Sequence, residues 1–468
     1  MHDHGAGACA ARAQERPGPL IAITARPHPL GRAVSEGVGG RFTWPPTLPR
    51  HLLFFPEEIL MRPLWLMLGA ALLSSAAQAA PLTYSAALEL ARTAPSLQAS
   101  ALQADAARAA ERAAGQLPDP KLTFGVDNLP ISGPNAGRLG ADEMTMARIG
   151  IMQEWPNAGR RRAASATARA ETQMALADTD LQRRKVRVAV ALAWIDLAYA
   201  ERRLAALDDF VDGLTELWEG QPAGFESGAA RPATGLEPTR LKAEFANRRS
   251  ELVAEVAKAR ADLTRWTGDP NPTTAGAAPH LEIEPAALRA KVADHPALHV
   301  LAAATRRAEA EVAGARAAKR PDWGFEVMYG RRDPMFGDMV SAGVTVSLPL
   351  FASRRQDPLI AARTAQASRA RVLEEEMRRE LVASLEADLA AHVAHHEQWR
   401  RAKEILVPTA EQKAHLEVAS YAAARADYAD LVEAFTGLAD AKLDALAREA
   451  MVARDGARIL LTYGSDNP

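Results

Sequence analysis

The chain has 468 residues, a formal charge of −2, 5% aromatic residues and a single cysteine, Cys9. The near-neutral balance excludes the basic surplus of a nucleic-acid binder. One cysteine at the extreme N-terminus excludes a disulfide framework or a thiolate metal site in the body of the chain. Abundant alanine with few aromatics suits long, close-packed helices better than a thick globular core.

Residues 1–60 are rich in His, Gly, Pro and Arg without a sustained period, and read as a non-native or disordered extension. Residues 61–79 follow as "MRPLWLMLGAALLSSAAQA". Arg62 supplies a charged start, Leu64–Leu73 an apolar run and Ala77-Gln78-Ala79 a cleavage site, the layout of a secretory signal peptide. Translation is then expected from Met61 and the mature chain from about Ala80, with no cysteine there for lipid attachment. No other segment has some 18 uninterrupted apolar residues, so any entry into a membrane is expected through strands.

In "QLPDPKLTFGVDNLP" (Gln116–Pro130), Pro118 and Pro120 stop a helix. The segment 121–129 then alternates, with Leu122, Phe124 and Val126 on one face and Lys121, Thr123, Gly125 and Asp127 on the other. A second strand is expected over 144–153, less clean because Arg148 interrupts it. Its Met144, Met146 and Met152 share a face and suit core or lipid packing. From Arg160 to Glu219 a helical rod carries Val190, Ala193, Leu197, Ala200, Leu204, Leu207, Val211, Leu214 and Trp218, alternating spacings of three and four. The Gly- and Pro-rich stretch Gly220–Pro238 interrupts it, and a returning helix follows at Thr239–Thr267, closing a coiled hairpin over 157–268.

About 200 residues later the plan repeats. "TAPSL" (Thr93–Leu97) is echoed by "DHPAL" (Asp294–Leu298), and "RIGIMQEWPNAGRRR" (Arg148–Arg162) by "SAGVTVSLPLFASRR" (Ser341–Arg355). Strands are expected over 322–331 and 340–348. Trp323, Phe325, Val327 and Tyr329 share one face of the third, and Val344 and Val346 the corresponding face of the fourth. A weaker stripe then runs Val382, Leu385, Leu389, His392, His396, Trp399, Lys403 and Leu406. A milder break is expected near Pro408, and a helix from Glu411 to about Leu461 completes a second hairpin over 354–461. The repeats are placed at 80–284 and 285–468.

Strands of about ten residues with one apolar and one polar face fit a tilted membrane strand. Four cannot close a barrel, and an open edge is not viable in lipid. Three subunits would give twelve. The expected fold is therefore mainly α with a membrane β-barrel: four strands per subunit, a trimeric twelve-stranded barrel and an α-helical coiled-coil tunnel.

The duplicated order, "LPDPKL" and "NLP" (Leu117–Leu122, Asn128–Pro130), the exits "WPNAGRRR" and "LPLFASRR", and "ADYADLVEAFTGLADAK" (Ala426–Lys442) together resemble the TolC-like family of outer-membrane efflux channels. The resemblance spans Ala80 to about Tyr463. It implies a homotrimer in the outer membrane of a Gram-negative bacterium, extending into the periplasm and working with a periplasmic adaptor and an inner-membrane RND-type pump. The phrasing "LPDPKL…NLP" is most similar to outer-membrane components of heavy-metal efflux systems. The extra Gly and Pro in Gly220–Pro238 depart from the family pattern where the first hairpin tip would meet the adaptor.

Asp430 and Glu433, three apart on one helix face, match the family's acidic pair near the periplasmic mouth, and Asp427 extends that face. In a trimer they form a ring of carboxylates that favours cations, with Arg425 as a basic neighbour. His392 and His396 are i, i+4 partners and metal candidates, although both fall on the seam. No phosphate loop, metalloprotease helix or nucleophile elbow is present, so neither an enzyme nor a cofactor is expected. The leading reading is a passive exit duct for heavy-metal cations. Still open are a multidrug or type I secretion channel of the same fold and a periplasmic coiled-coil adaptor.

Overall fold

The computed structural model describes residues 81–214, 236–279 and 281–464, all within one unit, Ala76–Pro468. The expected extension, the export signal and most of Gly220–Pro238 lie outside the described residues.

Helices α1 (Tyr84–Leu90) and α2 (Pro95–Ala113) precede strands β1 (Lys121–Asp127) and β2 (Met146–Trp155). Then come the rod α3 (Ala158–Gly213), its return α4 (Glu237–Thr267) and helices α5 (Pro285–Lys291) and α6 (Pro296–Ala317). Strands β3 (Asp322–Arg331) and β4 (Met339–Ser347) lead into α7 (Gln356–Arg401), α8 (Val407–Ala422) and α9 (Tyr428–Tyr463). The strands form one antiparallel sheet in the order β1-β2-β3-β4, leaving β1 and β4 as its edges. The strand bounds all differ from the expected ones by two residues or fewer; β1 ends at Asp127, and Asn128 turns away with a positive φ of 54°.

The 56 residues of α3 make a rod of about 84 Å. Its heptad seam is the core of the helical region: Val190, Ala193, Leu197, Ala200, Leu207 and Leu214 are all buried. Around Trp194 the seam meets the start of the described chain. The indole Nε1 donates to Leu82 O at 2.8 Å, and Tyr84 stands edge-on to the indole at 5.5 Å. Leu82 bridges to Thr274, whose hydroxyl donates to Glu201 at 2.6 Å. The returning helix α4 stops at Gly268, which takes the left-handed φ of 74° and donates its N–H to Thr264 O.

Sheet and rod are joined at the "WPN" exit. Asn157 caps α3, its Oδ1 accepting from Arg160 N. Its Nδ2 donates to Ala317 O at the end of α6 and to Asp322 Oδ1 at the start of β3, and its N–H donates to the same carboxylate at 2.8 Å. Arg160 adds an ion pair to Asp322. One side chain thus ties the first exit to the second half of the chain.

The second rod corrects the expected break. Pro408 does not turn the chain. Residues Ala402–Leu406 form a π-helical turn, after which α8 continues to Ala422. A proline has no N–H and its ring clashes with the carbonyl four residues earlier. The wider turn absorbs that misfit, with Pro408 in the first turn of α8. The reversal comes at residues 423–427, where Ala424 sits at φ 55°, and α9 begins after it. The expected Glu411–Leu461 helix is therefore two antiparallel helices, α8 and α9. The second seam is also rephased: Leu381, Leu385 and Leu389 are buried, but Val382 and Leu406 are exposed.

At the N-terminus of α6, His295 is 5% exposed and its Nδ1 accepts from Ala297 N. Burial, then the positive charge of Arg184 and the neighbouring His299, lower its pKa to about 4, against an opposing contact with the Thr462 backbone. The unfolded chain, near 6.5, binds the proton more tightly than the folded one, so stability rises with pH through this window. The stability that depends on neutral His295 is complete above pH 6.5 and is lost as the pH falls toward 4. His295→Asn keeps a cap acceptor without a titrating ring. Its thermal midpoint is expected to fall less than that of the native chain between pH 6.5 and 4; equal falls would show that the ring's titration contributes nothing.

Candidate functional site

Two regions carry the candidate residues: the sheet and the tip of the second hairpin. Cross-strand partners share a face, so the register sorts every strand residue. One face holds Leu122, Phe124 and Val126 of β1, Ile149, Ile151 and Trp155 of β2, Trp323, Phe325, Val327 and Tyr329 of β3, and Val340, Val344 and Val346 of β4. These side chains are 37–83% exposed. All nine strand residues expected on the apolar face lie on it. Ile149, Ile151 and Trp155, whose alternation Arg148 obscured in the sequence, complete it. Trp155 and Phe325 pack edge to face at 6.4 Å, and Trp155 pairs in register with Trp323.

The opposite face is polar and rich in glycine. Arg148 belongs here, paired with Asp127 at 3.2 Å, so it does not interrupt the apolar face. Lys121 pairs with Glu154 at 2.5 Å. Met146 and Met152 lie on this polar face as well, which removes them from the lipid or core packing expected of them; Met144 precedes β2 and is exposed. Each thioether side chain rests over a glycine of β3, Met146 over Gly330 and Met152 over Gly324. A glycine is what leaves the room: a Cβ on Gly330 would stand 2.7 Å from Met146 Sδ.

The expected acidic residues sit at the hairpin tip. Asp427 caps α9, its Oδ1 accepting from Ala429 N and Asp430 N, while Asp430 Oδ2 accepts from Asp427 N at 3.0 Å. This reciprocal box fixes both carboxylates where the helix N-terminus favours negative charge. Glu433 is exposed and takes an ion pair from Lys413 at 2.9 Å, which raises the lysine pKa. The basic neighbour is therefore Lys413 of α8; Arg425 supplies its backbone N–H to Ser420 O. Tyr428, Leu431, Val432 and Leu438 are buried on the other side of α9. There Leu431 and Val432 meet Leu207, Leu241 and Phe245 of the first hairpin. Asp440, further along the exposed face and not singled out in the sequence, pairs with Arg248.

The histidines are placed differently from the expectation. His395, not His396, faces α9, with Nδ1 2.6 Å from Asp455 Oδ2. His396 is exposed and meets Trp399 edge-on at 5.5 Å. His392 is half-buried, its Nδ1 has no hydrogen-bond partner, and burial lowers its pKa. The rings of His392 and His396 are 6.3 Å apart. Among the described residues no group of three or more His, Cys, Asp or Glu side chains converges on a metal position. No described helix is long and apolar enough to cross a membrane.

Neither the protein-family models nor the curated proteins contain a match to this chain. Solved structures do match. The CmeC outer membrane channel of Campylobacter jejuni superposes with a TM-score of 0.69 at 13% identity, over 81% of this chain and 85% of that one. A membrane protein from Pseudomonas aeruginosa gives 0.72 at 16%, over 81% and 93%. The open state of the MtrE outer membrane channel of Neisseria gonorrhoeae gives 0.68 at 16%, over 82% and 89%. At these identities the likeness establishes architecture: long helices and four antiparallel strands arranged as in outer-membrane channels of the TolC-like fold.

Proposed function

We propose that the chain is the outer-membrane exit duct of a tripartite efflux system, an internally duplicated subunit (80–284 and 285–468) exported by the signal at 61–79. The observation that carries this reading is the inverted exposure of the sheet. Water-soluble sheets bury their apolar face, whereas here that face is outward and uncovered. Lipid is the solvent that suits it, and the β1 and β4 edges then have to be paired. A homotrimer pairs β4 of one subunit with β1 of the next and closes twelve strands. The helical rods extend into the periplasm and meet an adaptor and an inner-membrane RND-type pump. The duct is passive and has no catalytic role.

Heavy-metal cations are the proposed cargo, supported by the "LPDPKL…NLP" phrasing and by acidic residues at the second hairpin tip. Asp427, Asp430 and Glu433 are proposed to ring the periplasmic mouth, where threefold repetition favours cations. The adaptor opens this mouth by drawing α8 and α9 outward, the better-packed first hairpin serving as frame.

Two measurements test the reading. Val327→Arg places a charge on the proposed lipid face at a cost of about 2–4 kcal/mol near mid-bilayer, whereas Thr345→Arg places it on the polar face. Membrane fractionation is expected to show loss of outer-membrane protein for the first only. Equal insertion of both, or a native chain found soluble in the periplasm, would overturn the barrel. For the mouth, Asp430→Asn with Glu433→Gln keeps shape and removes charge. Planar-bilayer recordings are expected to show weaker cation preference and weaker block by multivalent cations; unchanged values would reduce both residues to a solvated helix face.

A further inference from the structure

Internal duplication lets the two exits from the sheet be compared residue by residue. When Arg148–Arg162 is laid over Ser341–Arg355, Leu350 takes the place of Asn157 and Phe351 that of Ala158. Arg354 and Arg355 take the places of Arg161 and Arg162. The first exit is tied into the protein. Asn157 joins Ala317 and Asp322, Arg161 Nε donates to Gly115 O at 2.9 Å, and Arg162 Nε donates to Ala158 O at 3.2 Å. The second exit has apolar side chains where the first has its tie, and its two arginines are free.

Leu350 and Phe351 are 75% and 73% exposed, and Leu348 before them is exposed as well. A tight turn holds them there: Phe351 O accepts from the N–H groups of Arg354 and Arg355, at 3.1 Å each, and Leu348 O from Leu350 N at 2.9 Å. Among the described residues, Arg354 and Arg355 are exposed and have no side-chain partner. Arg355 stands at the N-cap of α7 without a side-chain hydrogen bond. The next carboxylate along the chain, Asp357, is already paired with Lys319. Two guanidinium groups ahead of a helix N-terminus add to its positive end, so an anion is the complement this exit lacks. The apolar residues also continue a surface. Val344, Val346 and Leu348 alternate down β4 and past its end, and Val346 is level with Trp323 and Trp155 across the sheet. Tryptophans side by side on an apolar strand face suit the boundary between lipid and water. Leu350 and Phe351 come just beyond that level, and the two arginines after them.

We propose that the second exit, Leu348–Arg355, is an interfacial anchor: Leu350 and Phe351 seat in the inner leaflet of the outer membrane, and Arg354 and Arg355 hold anionic phospholipid headgroups. Arginine suits this boundary, because its stem lies along apolar chains while the guanidinium meets phosphate. Water gives the exposed Leu350 and Phe351 no gain, whereas lipid removes both from it. The two exits then have different tasks. The first ties sheet to rod, and the second fixes the height of the barrel in the membrane. The anchor rests on the outer-membrane barrel reading.

The test uses the full chain with Cys9→Ser and one dye-labelled cysteine, in nanodiscs that contain spin-labelled phospholipid. Phe351→Cys reads the anchor, Val327→Cys the apolar face of the sheet, and Ala158→Cys the equivalent point of the first exit. The dye at 351 is expected to be quenched by labels near the headgroup, and the dye at 327 by labels deep in the acyl chains. Quenching at 158 is expected to be weaker than at 351. At 351, labelled phosphatidylglycerol is expected to quench at least about twofold more than labelled phosphatidylcholine, a preference lost in Arg354→Gln/Arg355→Gln. Native mass spectrometry of the unlabelled chain in detergent is expected to show retained phosphatidylglycerol that the double-Gln chain loses. A dye at 351 that no lipid label quenches, with 327 quenched, overturns the anchor and leaves the barrel; a neighbouring subunit then covers the exit. Quenching at 351 but not at 327 overturns the barrel and leaves a lipid-binding turn, and quenching at neither overturns both. Equal quenching by the two lipids, with equal lipid retention in the double-Gln chain, overturns the headgroup role of the arginines.

Discussion

A sheet whose apolar face points outward and whose two edge strands lack partners is the constraint on which the rest of the structure depends. Each unpaired backbone group would cost several kcal/mol in hydrocarbon, so such a sheet suits a membrane only as part of a closed barrel. In water its uncovered face would drive aggregation. The exposed row running from Leu122 through Ile151 and Val327, and from Phe124 through Tyr329 to Val340, is too regular to be incidental. On the other face glycines alternate with charged, polar and thioether side chains.

The rods inherit their position from this sheet. Each leaves the strands through a proline-containing exit, and at the first exit Asn157 and Arg160 lock β3, α6 and α3 together through Asp322. Further along, the two hairpins differ in how they are held. The first is packed by Leu197, Leu207, Leu252 and Leu263, with Phe245 and Phe210 edge to face at 5.7 Å. The second replaces the middle of its seam with polar contacts: His395 to Asp455, Arg458 to Asp388 and Arg448 to Gln398. Partly exposed pairs of this kind contribute about 1 kcal/mol or less each, against about 1.5–3 kcal/mol for burying a leucine. A π turn in the same rod adds a local departure from regular helix. The second hairpin is thus the one that yields at lower cost, which supports assigning it the moving role.

Much of the fold was legible because period-two alternation and prolines are local signals. All four strands, the exits and the first heptad seam could be placed from residue spacing alone. Three readings failed where the outcome depends on tertiary context. Pro408 looks like a terminator, yet a π turn accommodates it and moves the reversal to residues 423–427, a stretch with no proline or glycine to mark it. His396 was assigned to the seam by carrying the spacing over from the first rod, but the interface shifts by one residue and selects His395. The methionines of β2 were grouped on one face correctly, but their apolar character suggested the wrong side. Only the register, which puts them opposite Asp127, Lys121 and Glu326, reveals the polar surroundings. The candidate tip was legible as an acidic face, whereas the capping box and the Lys413 partner required the turn to be known.

Charge gives the two ends of the proposed route a common sign. On the polar face of the sheet three ion pairs cancel, which leaves Glu326 as the uncompensated group. At the tip, Lys413 answers Glu433, while Asp427 and Asp430 are stabilised by the N-terminus of α9. A helix N-terminus stabilises a carboxylate through partial charges confined to its first turn, so it does not cancel the field seen from the solvent side. In the proposed trimer, threefold repetition would multiply what remains at each level. In the proposed duct, fixed negative charge at these two levels would raise the local concentration of cations over anions. Between them, the long rods are studded with paired Arg–Asp and Arg–Glu contacts that add little net field. A passive duct built as proposed would select by sign and leave direction and energy to whatever loads it.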